Sequence, residues 1–136
     1  FDTILGNVST GYAEGCCGFS ENCQNNFIEI GHEGNVYPCG RFDGVKDFHY
    51  GNIQEKPLKD ILNSPVRLRL LGRKSENVDD CCSCDYVKIC NSGCLNNAYM
   101  DGGDPMRKDY YCGSYKAMFS HIKKRVESEL KNAEVK

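Results

Sequence analysis

No run of about 18 apolar residues occurs in this 136-residue chain, so no membrane-crossing helix is expected. Its lysines and arginines are scattered through a chain of net charge −2, without the basic patch that a nucleic-acid partner requires. No secretory signal is visible, and the sequence opens on Phe1 rather than methionine. Internal repeats and low-complexity segments are also missing. Aliphatic and aromatic residues are in short supply, because the 40% hydrophobic share counts ten cysteines. One domain's worth of such a chain buries a thin core, which a covalent or metal staple would reinforce. With no sign of secretion, cytoplasmic metal ligation is the stronger reading of the cysteines and a disulfide framework the weaker.

Residues 1–25 are rich in Gly, Asn and Ser and read as irregular. Residues 26–30 alternate like a strand, "GHEG" (31–34) supplies a turn, and Asn35, Val36 and Tyr37 start a return strand that Pro38 stops. The resulting hairpin brings Cys23 and Cys39 toward one end, with Gly34 expected at positive φ. "FHYGNI" (48–53) reads as a loop. Pro57 suits the first turn of a helix reaching about Asn63, with Leu58, Ile61 and Leu62 on one face. Ser64 then caps a second helix with Pro65 at its first position, carrying Val66, Leu68, Leu70 and Leu71 to Gly72. From about 113 to 131, Tyr115, Met118, Phe119, Ile122, Val126 and Leu130 recur at helical spacing, which predicts an amphipathic helix packed back on the domain.

The ten cysteines are Cys16, Cys17, Cys23, Cys39, Cys81, Cys82, Cys84, Cys90, Cys94 and Cys112. The densest stretch, "CCSCDYVKICNSGC" (81–94), contains Cys81-x2-Cys84-x5-Cys90-x3-Cys94. A C-x2-C turn aims two sulfurs at one centre, and Cys90 can join it from the loop. Cys94 either closes that site or turns to another, as the fourth closely spaced cysteine of two-cluster ferredoxins does. Cys17, Cys23, Cys39 and Cys112 complete two sets of four. Four-cysteine zinc sites use similar pairs, so spacing leaves zinc and iron–sulfur clusters both open.

The order Cys23, Gly34, Cys39, C-x2-C-x5-C-x3-C, Cys112, together with "GNVYPCGRF", "GNIQEKPLKDILNS" and "CNSGCLNNAYMDGG", resembles the SPASM domain over roughly residues 17–122. That family is the C-terminal auxiliary-cluster domain of radical S-adenosylmethionine (SAM) enzymes that mature subtilosin, pyrroloquinoline quinone, anaerobic sulfatases and mycofactocin. The resemblance implies two [4Fe–4S] clusters, the first on Cys17, Cys23, Cys39 and Cys94, the second on Cys81, Cys84, Cys90 and Cys112. Zinc or a single iron is the substitute metal. Cys16 and Cys82 fall outside the pattern as spare thiols, although Cys16 is an alternate for Cys17.

Pattern and resemblance together give an α+β fold. A β-hairpin, short helices and a C-terminal amphipathic helix surround two metal clusters in one domain spanning 1–136, with its cluster region at 16–112. The partners implied are a radical SAM catalytic domain in cis and a substrate peptide or protein, with no nucleic acid and no membrane. The clusters would relay electrons and the domain would help position the peptide. The C-x3-C-x2-C triplet of a catalytic barrel is missing, since Asn97 stands where its third cysteine would be. Catalysis by this chain alone is therefore not expected. Sulfatase maturases place an aspartate directly after the ligand that Cys39 matches; here it is Gly40, which favours a ribosomal-peptide modifying enzyme. A zinc-stabilised interaction module and a stand-alone ferredoxin-like carrier are the alternatives.

Arg41, two residues past Cys39, is either a cation that offsets cluster charge or a solvated arginine. His32, His49 and His121 read as surface or packing residues, and Tyr86, Tyr99, Tyr110 and Tyr111 as packing near the clusters. Gly93 reads as room for sulfur and backbone to approach.

Overall fold

The computed structural model describes residues 2–14, 17–21 and 23–134. It is an α+β arrangement. A small three-stranded antiparallel sheet, ordered β1 (Glu29–Ile30), β2 (Asn35–Tyr37) and β3 (Gly51–Asn52), is accompanied by short helices and one long C-terminal helix.

The hairpin forms as expected, with Glu29 opposite Tyr37 and Ile30 opposite Val36. Gly34 sits in its turn at φ 84°, where a Cβ would meet Asn52 Oδ1 at 2.9 Å. Only residues 29–30 of the expected first strand pair, however. Residues 23–26 instead form helix α2 (Cys23–Asn26), because the buried Gln24 amide donates to Leu70 O at 2.6 Å. The 48–53 stretch is likewise not a plain loop. Tyr50 N donates to Val36 O and Ile53 N to Gly34 O, adding β3 to the free edge of β2. Gly51 hides that strand in the sequence, yet its φ of 146° and the Ile61 side chain, 3.2 Å from where a Cβ would stand, call for glycine.

Helix α3 (Leu58–Leu62) follows Pro57, which stands just before it as N-cap rather than within it. Helix α4 (Pro65–Leu71) is capped as expected, Ser64 Oγ accepting from Arg67 N and Gly72 ending it. Of their apolar residues, Ile61 and Leu70 are fully buried while Leu58 and Leu68 are exposed. They join Val36, Tyr37, Phe42, Phe48, Tyr50 and Leu95 in one core, against which Cys39 and Tyr99 pack.

A second core consists of Phe19, Ile89 and Phe119, flanked by Ile4, Val8, Tyr86, Cys90 and Tyr115. It explains why residues 2–10, expected to be irregular, are helical. Helix α1 (Asp2–Thr10) lays Ile4 and Val8 on this core, and Asn7, fully buried, donates to Ile89 O at 3.0 Å and accepts from Glu14 N at 2.8 Å. Packing overrides the weak helix propensity of its Gly, Asn, Ser and Thr. Two short helices, α5 (Val87–Cys90) and α6 (Leu95–Met100), precede the long α7 (Cys112–Glu134), which starts one residue earlier than its apolar period suggests. Phe119 and Ile122 are buried on α7, whereas Leu130 is exposed, so the stripe packs only along its first half. Among the described residues no helix is long and apolar enough to cross a membrane.

Candidate metal centres

Eight of the ten cysteines fall into two groups of four. Cys81, Cys84, Cys90 and Cys112 line one cavity of about 340 Å³, counting its mouth. Its walls include Ser92, Asp109, Tyr115 and Phe119. Burial first, and then the neighbouring Cys112, Cys81, Asp109 and Cys84, together push the Cys90 thiol up to about 12. Cys112 is raised too, by burial, against the opposing pull of Lys116. Lys116 holds its own proton more tightly because of Cys84 and Cys112.

The other group gathers beside the hairpin. Cys23 is pushed up to about 11 by burial and then by Cys94, Cys17 and Cys39. Cys23 opens α2 and Cys39 follows β2, so both ends of the ribbon deliver thiols to one place. Arg41 does approach this group: its guanidinium donates to Cys94 Sγ at 3.4 Å. Cys23, Cys90 and Cys112, all raised, hold their protons more tightly than a free thiol, and a metal must displace those protons to be held.

Cys90 and Cys94 lie four residues apart yet belong to different groups. The chain achieves this in residues 91–93, where Asn91, Ser92 and Gly93 have φ of 48°, 66° and 72°. Three successive left-handed residues end α5 and turn the backbone away before Cys94 opens α6. Asn91 is held there by donating to Phe19 O at 2.9 Å.

Two buried charges brace this crossing, and neither was legible in the sequence. Arg73, 3% exposed, donates to Pro105 O (2.7 Å), Gly93 O (3.1 Å), Ser92 O (3.0 Å) and Arg107 O (2.9 Å). Burial loosens its proton, while Cys23 and Cys94 of one group, Cys81 of the other, and Asp109 favour its charge. Asp109, 1% exposed, accepts from Cys94 N (2.7 Å) and Asn97 Nδ2 (2.9 Å) on one oxygen and from Tyr111 N (2.7 Å) on the other. Its own carbonyl accepts from Cys112 N at 3.0 Å. Gly93 makes room for this carboxylate, since a Cβ at 93 would stand 2.4 Å from Asp109 Cβ. The space expected to serve sulfur serves Asp109. Asn97 is spent in the same bracing.

Cys82 is exposed and hydrogen-bonds to Asp79 O, outside both groups. Cys16 lies outside the described residues. His49 packs on Tyr37 and bonds Asn35, and His32 is exposed. Tyr99 stacks with Phe42 and Phe48, Tyr86 with Phe119. Tyr110 and Tyr111, both exposed, meet edge to face, and Tyr111 also lies against Tyr115 in the wall of the first cavity.

Whether these groups suit a multi-iron cofactor is tested by what is left unpaired beside them. Ser92 Oγ, in the wall of the first-described cavity, is buried with no hydrogen-bond partner among the described residues. Tyr50 Oη is in the same condition, in the electrostatic reach of Cys23 and Cys39. Each thiol group thus has a spare buried hydroxyl next to it, which fits a group with sulfur acceptors of its own. Among the described residues no set of three or more His, Cys, Asp or Glu side chains is arranged to hold one metal ion. A single zinc, with sulfurs about 2.3 Å from the metal, would require the thiols to close inward.

A sequence model of the SPASM family, described as an iron–sulfur cluster-binding domain, matches residues 16–85. The cysteine-type anaerobic sulfatase-maturating enzyme of Clostridium perfringens is 26% identical over 121 residues, covering 89% of this chain and 32% of that protein. The AdoMet-dependent heme synthase of Methanosarcina barkeri is 33% identical over 86 residues, 63% of this chain and 23% of that one. The solved structure of native anSMEcpe with bound AdoMet and Kp18Cys peptide superposes with a TM-score of 0.67 at 25% identity, over 96% of this chain and 35% of that one. The chain spans about a third of the length of the sulfatase-maturating relatives it matches.

Proposed function

Because this chain belongs to the SPASM family of iron–sulfur cluster-binding domains, we propose that it holds two [4Fe–4S] clusters and moves electrons for a radical SAM catalytic domain on the same polypeptide. Residues 1–136 form the auxiliary domain in this reading, and a peptide or protein is the substrate. The observation that carries it is the division of eight thiols into two groups of four across a three-residue crossing. Cys17, Cys23, Cys39 and Cys94 would hold one cluster, and Cys81, Cys84, Cys90 and Cys112 the other. When bound, each supplies a delocalised one-electron acceptor.

The protein's own groups do the rest. With all four thiols of a set engaged, a bound cube would have no iron left for substrate, and its chemistry would be electron transfer. Arg73 and Arg41 place positive charge beside thiolates that would otherwise repel one another. Arg73 stands within the field of both groups and favours added electrons at either. The two hydrophobic cores each carry one side of the arrangement, Cys39 packing on one and Cys90 on the other. Cys81 is buried, Cys17 is exposed and the other six are half-buried, so the cores shield the thiols in part. A peptide substrate is supported by the Kp18Cys peptide that anSMEcpe binds.

Reductive titration tests the electron-carrying role. The anaerobically loaded chain is expected to take up about two electrons, one for each cube. Uptake of one electron, or of none as for a zinc protein, contradicts it.

A further inference from the structure

Ser92 breaks two local rules at once. It adopts φ 66°, a conformation that costs little for glycine and more for serine. Its hydroxyl is also buried, 3% of the residue being exposed, with no hydrogen-bond partner among the described residues. Its carbonyl is fully used, accepting from Arg73 Nη2 at 3.0 Å and from Asp109 N at 3.0 Å. Those bonds fix the main chain and leave the side chain in the wall of the cavity formed by Cys81, Cys84, Cys90 and Cys112. A residue strained in backbone and unsatisfied in side chain marks a functional position, because folding alone gains nothing from either.

We propose that Ser92 Oγ donates a hydrogen bond to a sulfur of the cluster held by Cys81, Cys84, Cys90 and Cys112, and so raises that cluster's reduction potential. This rests on the two-cluster reading above. A donor to cluster sulfur stabilises the reduced form, which carries more negative charge, over the oxidised form. The neighbouring glycine shows that the turn itself does not need a side chain at every position, since Gly93 has φ 72°. Serine at 92 therefore contributes chemistry, not turn geometry.

The test compares wild type with Ser92→Ala and Ser92→Gly, each anaerobically loaded with iron and sulfide and titrated potentiometrically by electron paramagnetic resonance. Both variants should hold wild-type iron. One of the two midpoint potentials should fall, changing the reduction equilibrium by roughly tenfold, the other staying fixed. The Fe–S resonance Raman bands of wild type should shift in deuterated water, and this shift should vanish in both variants. The glycine variant relieves the backbone, so equal falls in the two variants attribute the effect to the hydroxyl. Unchanged potentials with full iron in both variants overturn the inference and leave the two-cluster reading standing. Wild-type protein that loads only the Cys23 group overturns both.

Discussion

Asp109→Ala is expected to lose about 3–5 kcal/mol of stability and to release iron from both thiol groups rather than one. The carboxylate is almost wholly buried and accepts three hydrogen bonds, from Cys94 N, Asn97 Nδ2 and Tyr111 N. Removing it leaves two backbone amides and a side-chain amide without partners, and strips the nearby Arg73 of an opposing charge. It also empties the space that Gly93 was shaped to leave. Its side chain holds the backbone of Cys94 and, through Tyr111 N, the residue before Cys112 at the start of α7, so one substitution loosens the chain beside a thiol of each group. Asp109→Asn should fail in part as well, because its NH2 would face an N–H donor. Against a typical domain stability of about 5–15 kcal/mol the loss is large. Denaturant unfolding of the loaded chain and the rate of iron release to a chelator measure both halves of the expectation. A change within roughly 0.5 kcal/mol would show that the crossing does not depend on this carboxylate.

Cys90→Ala and Cys94→Ala, only four residues apart, should each remove about half the iron, and the halves should differ. Cys90 lines the cavity with Cys81, Cys84 and Cys112, whereas Cys94 is an electrostatic neighbour of Cys23 and bonds Arg41. The left-handed residues 91–93 separate them. Each variant should therefore lose one of two distinguishable paramagnetic signals and keep the other. If both lose the same signal, the four closely spaced cysteines form one site and the crossing does not exist.

What the sequence revealed was whatever punctuation residues control. Ser64 and Pro65 define the start of α4 through a cap and a fixed φ, and Gly34 marks its turn because a side chain would strike Asn52. The paired cysteine spacing was visible because close ligands must be local. Structure that depends on distant partners was not visible. Asp2–Thr10 is a helix only because Asn7 reaches Ile89 and Val8 reaches the second core, contacts more than 80 residues away in the case of Ile89. The strand Gly51–Asn52 needs the edge of β2 and carries no alternating apolar pattern. Arg73 and Asp109 carry no local signal, since nothing beside them in the chain shows that four carbonyls and three donors will converge on them. Arg41 had a local signal, its place two residues after Cys39, and its side chain does reach Cys94.

Iron and acid-labile sulfide, counted per chain after anaerobic reconstitution and removal of loosely bound metal, test the central claim most directly. Two filled groups of four thiols predict about eight irons and eight sulfides, with no zinc bound at stoichiometric level. A reproducible count near four of each, or zinc without sulfide, would contradict it.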